Sequence, residues 1–303
     1  MTDGDDILHR VDANNIELIR LVFVNNSGVP RGRVVDAESL PGVLAEGTNV
    51  TQAMQSFNAL DRLAPDGRYG PAGEVRVVPD PETYTELPYA DRAAIMLADL
   101  QDLDGEPWAA GPRAQLRAYL DDIGAEGYVP RLSFESEFYY TRETDDGETV
   151  PYDDTTCFAT EGMQSAHDPI LDTVDALKAQ GMGLSAYYPE YGPGQQELVV
   201  EHADGVAASD SQILFKETVA AVADAHGTVP LLYRTLRDHC SERTPADVLG
   251  TLHSRAELIA KTNLRYTHEM LAIVEAARAT GIRVVPYWGS VLAEAGCMSR
   301  LDC

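Results

Sequence analysis

Lysine is almost missing from this 303-residue chain: Lys178, Lys216 and Lys261 are its only three. The 23 basic side chains face 49 acidic ones, a formal net charge of −26. Clusters of Lys and Arg that neutralise phosphates are therefore lacking, which excludes nucleic acid as an expected partner. No apolar run approaches the roughly 20 residues that span a bilayer. The start, Met1 to Asp6, has no basic patch followed by an apolar stretch. The expectation is a cytoplasmic protein with no membrane partner. The four cysteines, Cys157, Cys240, Cys297 and Cys303, show no CxxC spacing; a chain of this length does not depend on disulfides, so they read as free thiols. Neither internal repeats nor a phosphate-loop lysine motif occurs.

What is abundant is acid. A lysine-poor acidic surface points to a high-salt cytoplasm, where the Debye length falls to about 3 Å at 1 M and self-repulsion is screened. An acidic mesophilic protein is the alternative. The hydrophobic share, 44%, suffices for one large core or two moderate ones.

Along the chain, residues 16–24 (IELIRLVFV) are strand-like, Asn25 to Gly28 supply a turn, and Arg31 to Val35 resume an extended pattern, a hairpin signal. Residues 58–79, rich in Gly, Pro, Asp and Arg, read as a long exposed loop that includes Asp61. Ala94 to Leu97 form a buried strand, and 88–104 reads as a seam between two domains. Pro112 then opens a helix with Leu116, Leu120 and Ile123 on one face and Gly124 after them; Tyr128 to Tyr140 is a strand. Asp168-Pro169 caps a helix with Ile170, Val174 and Leu177 inward and Gly181 as its stop. Leu184 to Tyr188 and Glu197 to Glu201 are strands, and Ser209 to His226 is a long helix. Such alternation suggests an α/β layer or barrel-like sheet.

The chemistry lies in carboxylates. In the stretch 132–139 (LSFESEFY), a period of two puts Leu132, Phe134 and Phe138 on one face and Glu135 and Glu137 on the other, about 7 Å apart by the strand rise. Desolvation and repulsion would raise one pKa unless a metal or a shared proton compensates. The pair alone is unspecific, since this acid content gives roughly eight acid-x-acid triplets by chance. A second element adds weight: in 188–200 (YPEYGPGQQELVV) a Gly-Pro-Gly turn separates Glu190 from Glu197, and the latter opens an apolar strand.

Taken together, Glu-x-Glu-Phe at 135–138, Pro189 to Glu197 some fifty residues on, and a helix carrying Phe215-Lys216 resemble the glutamine synthetases and their γ-glutamyl ligase relatives. Arg31-Gly32-Arg33, Asp80 to Thr83 before Leu87-Pro88, Asp99-Leu100 with Asp104-Gly105, and Pro112-Arg113 agree in order. The chain looks like the first two-thirds of such an enzyme, over about residues 12–227. The resemblance implies an α+β protein: a β-grasp-like N-terminal domain (12–100), a truncated α/β catalytic domain with a curved antiparallel sheet (105–227) and a divergent segment (228–303). It further implies that Glu137, Glu190 and Glu197 hold one Mg2+ or Mn2+, a hard-cation chemistry that suits carboxylates. Glu135 would serve a second cation on the phosphates of ATP, the co-substrate. Lys216 is a weak candidate for nucleotide contact, its ordinary reading being a solvated helix lysine. Gln195 and Tyr191 flank the ligands and read as turn residues. Asp61 sits in a loop that in the family reaches a neighbouring subunit's site, and the implied assembly is a homo-oligomeric ring. No catalytic residue is assigned.

The implied reaction joins the γ-carboxylate of glutamate to ammonia or a small amine through a γ-glutamyl phosphate. After Gly227 the family's Lys-Pro strand, Gly-Ser-Gly-x-His segment and later arginines are not found, so four of six expected cation ligands remain. His239, His253 and His268 read as ordinary histidines. The alternative expectation is a catalytically dead, truncated or frameshifted member that keeps divalent-cation or subunit binding.

Overall fold

The computed structural model describes residues 4–230, apart from 59, 60, 65, 66, 128, 147 and 148. The expected helices after Thr244-Pro245 and over 266–280, the strand at 282–285, the three tail histidines and Cys240, Cys297 and Cys303 lie outside the described residues. Among the described residues Cys157, half-buried, forms no disulfide.

Helix α1 (Gly4–Ala13) buries Ile7 and Val11. Strands β1 (Leu18–Val24) and β2 (Pro30–Asp36) make the expected hairpin, antiparallel from Leu18↔Asp36 to Val24↔Pro30. Asn25 ties its turn, Oδ1 accepting the N–H of Ser27 and of Val29 at 3.0 Å each. Next come α2 (Leu40–Glu46), β3 (Thr48–Thr51), a 3-10 turn at Gln52–Ser56 and β4 (Glu74–Pro79), so the end of the expected loop is strand. Short β5 (Thr85–Glu86) and long β6 (Ala93–Gln101) complete a sheet of order β2-β1-β6-β4-β3, with β5 on β6. β1 and β6 run parallel at the centre, the β-grasp arrangement.

The expected seam at 88–104 is corrected here: it contains β6, the central strand of this sheet. Ala94, Met96, Ala98 and Leu100 enter the core beneath the sheet with Ile7, Ile19 and Leu21, while Ala93, Ile95 and Leu97 enter a second core shared with the rest of the chain. A strand buried on both faces needs a continuous apolar run, and residues 93–98 (AAIMLA) supply it.

The second half comprises α3 (Pro112–Ala125), β7 (Arg131–Leu132), β8 (Glu135–Glu143), β9 (Thr149–Pro151), α4 (Thr160–Ser165), α5 (His167–Ala179), β10 (Leu184–Pro189), β11 (Gln195–Val200), β12 (Ala203–Asp204), α6 (Gly205–Ala225) and β13 (Val229–Pro230). Its sheet has the order β10-β11-β8-β13 with β9 on β8, wholly antiparallel; β7 and β12 form a separate ribbon. Ile170 and Leu177 of α5 and Leu214 and Phe215 of α6 share one core with Ile95 and Leu97 of the first sheet and Phe138, Tyr140 and Leu198 of the second.

Several local expectations change. The single strand over 128–140 is broken at Ser133-Phe134, because residues 131–132 pair with β12 instead. Leu132 and Phe134 are therefore 38% and 40% exposed, and only Phe138 of that triplet is buried. Asp168 and Pro169 fall inside the first turn of α5, which follows α4 directly. β11 begins at Gln195, two residues early, and α6 at Gly205, four early. β13 extends the sheet beyond the boundary expected at 227. Helix α3 buries no residue fully, and Ile123 is exposed. Charge holds it: Arg113 donates to Asp80 (2.7 Å), Asp99 (2.7 Å) and Asp210 (3.0 and 2.8 Å), and Arg117 to Asp80 at 2.7 Å. These ties join β4, β6, α3 and α6.

Candidate metal centre

From Glu135 onward, alternation along β8 sends Ser136, Phe138 and Tyr140 inward and Glu135 and Glu137 to the opposite face. Ser136 Oγ donates to Gln212 Oε1 on α6 at 2.7 Å, which identifies the inward face. β11 lies between β10 and β8, so register sets Glu197 opposite Tyr188 on one side and Glu137 on the other. Like charges directly opposite on neighbouring strands repel. Glu190 follows the end of β10, its N–H donating to the Gln195 carbonyl at 2.9 Å.

The four glutamates differ in surroundings. Glu135 is exposed, Glu137 and Glu190 are half-buried, and Glu197 is 6% exposed. Burial pushes the Glu197 carboxyl up to about 7; a hydrogen bond from Tyr188 opposes this, and the charges of Glu137, Glu190 and Glu135 add to it. Of these three, Glu137 is the one set directly opposite Glu197 by strand pairing. The Tyr188 hydroxyl donates to Glu197 Oε1 at 2.9 Å, and its own ionisation is pushed up by burial first and then by that bond and the carboxylate charges.

The turn between β10 and β11 is built to present these groups. Gln195, buried, accepts from the Gly192 N–H at 2.8 Å through its side-chain carbonyl and donates its amide to Glu137. Gly192 has no alternative: a Cβ there would lie 2.5 Å from the Tyr139 hydroxyl. Glu190 Oε2 accepts the N–H of Tyr191 at 3.1 Å. Phe158, at φ 57, donates its N–H to the Pro189 carbonyl at 2.9 Å and sets its ring edge-on to Tyr188, centroids 4.7 Å apart.

Among the described residues no group of three or more His, Cys, Asp or Glu side chains is arranged to hold a metal ion. Glu137, Glu190 and Glu197 are instead each bonded to a protein donor. The donor set nonetheless fits a hard divalent cation, being carboxylate oxygen throughout with Gln195 and Tyr188 as orienting neighbours. Lys216 is not gathered with them. It sits half-buried on α6, which packs on the inward side of the sheet, and burial pushes its ammonium pKa down. Asp61 lies on the first half, at φ 59, ion-paired with Arg31 at 2.7 Å. A cavity of about 610 Å³ lies elsewhere, lined by Asp80, Arg113, Arg117 and the start of α6. Sequence reasoning missed Tyr188 and the bond from Gln195. Only the register of three strands reveals the former, and turn chemistry masks the latter.

Two family models match the chain in tandem: glutamine synthetase N-terminal domain over residues 2–108 and glutamine synthetase, catalytic domain over 109–232. A third, uncharacterised nucleotidyltransferase, matches residues 216–301. A γ-glutamylanilide synthase of Acinetobacter is 26% identical over 254 residues, 74% of this chain and 51% of the relative. A glutamate–isopropylamine ligase of Pseudomonas is 28% identical, covering 72% and 50%. A glutamine synthetase of Halobacterium salinarum is 26% identical, covering 75% and 49%. With sources so varied, the acidic composition assigns no high-salt origin. Among solved structures, a glutamine synthase homologue is similar at TM-score 0.64 and 28% identity, over 71% of this chain and 50% of that one. A GmaS–ADP complex matches at TM-score 0.65 and 24% identity, over 77% and 51%. The chain spans about half the length of these relatives, less than the two-thirds its motifs suggest. With the glutamate-bearing strands in place and both models matched in order, the chain belongs to the glutamine synthetase family.

Proposed function

We infer that this chain serves an ATP-dependent ligase reaction in which the γ-carboxylate of glutamate is joined to ammonia or a small amine. The observation carrying this reading is the cross-strand row Tyr188–Glu197–Glu137, with Glu190 and Glu135 close enough to perturb Glu197. Glu137, Glu190 and Glu197 would hold one Mg2+ or Mn2+, and Glu135 would contribute to a second. Such cations neutralise phosphate charge as it moves between oxygens during phosphoryl transfer. Gln195 keeps the Glu137 carboxylate turned toward the row, and Tyr188 does the same for Glu197. Two relatives named for aniline and isopropylamine favour an amine acceptor over ammonia. Assembly into a ring, nucleotide contact by Lys216, a role for Asp61 at a neighbour's site and a cytoplasmic location belong to the same proposal. Among the described residues no helix is long and apolar enough to cross a membrane.

The test is ADP release with glutamate, Mg2+ and a panel of amines, alongside Mn2+ binding. Turnover with any acceptor, lost in Glu137→Ala, supports the ligase. Silence across the panel with Mn2+ binding retained points to the second reading, a member that binds cation or subunit without turnover. The match of 216–301 to a different family favours that second reading, since it occupies sequence where the catalytic model ends. Its frameshift form loses support for the same reason: an out-of-frame tail is arbitrary sequence and would match no family.

A further inference from the structure

Two aromatic residues stand in the open where β10 ends, although Phe is among the residues most often buried. Phe158 is 56% exposed and Tyr191 75%. Both adjoin the glutamate row. The Phe158 N–H donates to the carbonyl of Pro189, the residue before Glu190, at 2.9 Å. Its ring meets Tyr188 edge-on with centroids 4.7 Å apart, and Tyr188 donates to Glu197 at 2.9 Å. Residues paired across neighbouring strands share a face, so Tyr188, Glu197 and Glu137 lie on one side of the sheet and the Phe158 ring packs at the end of that row. Tyr191 follows Glu190 directly and donates its N–H to that carboxylate at 3.1 Å.

The position of Phe158 is held by its surroundings. Its φ of 57 is left-handed, a conformation that a bulky side chain seldom adopts. The turn is closed by the Thr155 N–H on Asp153 Oδ1 at 3.1 Å and the Ala159 N–H on the Thr156 carbonyl at 3.0 Å. Gly162 on α4 lets this turn sit against β10, since a Cβ there would lie 2.3 Å from Thr155 Oγ1 and 3.1 Å from Pro189 Cγ. Backbone outliers cluster where a ligand is held, and this one keeps an apolar ring outward beside carboxylates.

We propose that Phe158 is a specificity-determining residue for the acceptor: its exposed ring takes the apolar substituent of a primary amine whose nitrogen is directed at the glutamate row. The proposal rests on the ligase reading and names its substrate class, amines bearing a branched alkyl or aromatic group. Carboxylates attract the amine end, the ring covers the apolar end, and ammonia has nothing to offer the ring. Ligand sites commonly combine apolar walls with a few polar groups in this way.

The test uses the full chain loaded with Mn2+, whose paramagnetism speeds the relaxation of carbon-bound protons on amines held near it. Titrations of aniline, isopropylamine and methylamine give affinities without any need for turnover. The wild type should prefer the two larger amines by about tenfold or more, the discrimination an apolar contact supplies. Phe158→Gly, which suits a left-handed φ, should lose that preference while Mn2+ and methylamine affinities stay within about twofold, and Phe158→Tyr should keep it. A preference that survives in Phe158→Gly overturns the proposal, as does a loss of Mn2+ and of all three amines together, which marks a structural role. Mn2+ bound with no amine relaxed overturns the proposal and leaves the cation role standing. Failure to bind Mn2+ sinks the ligase reading and the proposal with it.

Discussion

Glu197 holds an unfavourable position that only its surroundings make tolerable. It is buried, faces Glu137 across the strand pair, and has one neutral donor, Tyr188, to set against three nearby carboxyls. Glu197→Gln removes the repulsion at nearly constant volume. In the absence of divalent cation it should raise stability by up to about 1 kcal/mol for the like-charge pair relieved, read as a higher denaturation midpoint. The same variant should weaken Mn2+ binding at least about 10-fold, measured by the paramagnetic signal of free Mn2+. If stability falls and Mn2+ affinity is unchanged, the cation role of the row is wrong. Tyr188→Phe gives the complementary outcome: with its donor gone, Glu197 loses the bond that opposes burial, and the cation-free protein should be less stable by about 1–2 kcal/mol.

At the scale of elements, the Arg113 network shows what the sequence could and could not disclose. Pro112-Arg113 at a helix start is readable, and so are Asp80 and Asp99 after strand-like runs. That one guanidinium would collect Asp80 just after β4, Asp99 of β6 and Asp210 of α6 is not, because the positions are 14 to 97 residues apart and meet only through the fold. The shared face of Glu135 and Glu137 was legible for the opposite reason: period-two alternation sets it within one strand, while the place of Glu197 beside Glu137 depends on the register of β11 with β8. The misread parts share a cause: the break at Ser133-Phe134 and the early starts of β11 and α6 are decided by partner strands and packing. The apolar triplet on α3 misled because that helix is anchored by ions.

Arg113→Ala would leave Asp210 without its guanidinium partner and Asp80 and Asp99 with Arg117 alone, in a junction where the three aspartate side chains are at most 25% exposed. Removing one partner of such a buried set costs about 3–5 kcal/mol, and denaturant titration should show a loss of that order. The acid limb should change too. Burial pushes the Asp80 carboxyl up, but the Arg113 hydrogen bond and charge pull it further down, so it sits below the ordinary 3.8. A depressed acid contributes stability that is complete above its unfolded value and lost as pH falls through the folded one. The wild type should therefore lose stability on acidification below the ordinary carboxylate range, and Arg113→Ala should lose that part of the slope. Asp210 goes the other way: burial leaves it raised despite Arg113, so it takes its proton first.

For the molecule as a whole, the net charge of −26 sets the dependence on salt. Self-repulsion weakens as the Debye length shrinks from about 10 Å at 0.1 M to about 3 Å at 1 M. Tm should rise with KCl across that range, by about 2–4 °C for each kcal/mol of repulsion relieved, whatever the source of the protein. A flat or falling Tm would mean that the acids are already spaced or paired well enough. The composition thus speaks to solubility and to which partners are refused, while the family is carried by the ordered motifs and the strands they build.

The placement of β6 has a practical outcome for anyone cutting this chain. The two glutamine synthetase models abut at 108 and 109, an inviting point for expression of halves. Yet Ala93, Ile95 and Leu97 belong to the same packed cluster as Phe138, Phe215 and Leu198, so β6 is a party wall and not a fence between neighbours. A fragment ending near 108 would present that apolar row to water and aggregate. The intact described region should instead melt in one step, with Trp108 fluorescence and far-ultraviolet ellipticity following the same curve; two resolved steps would show that the wall can be parted.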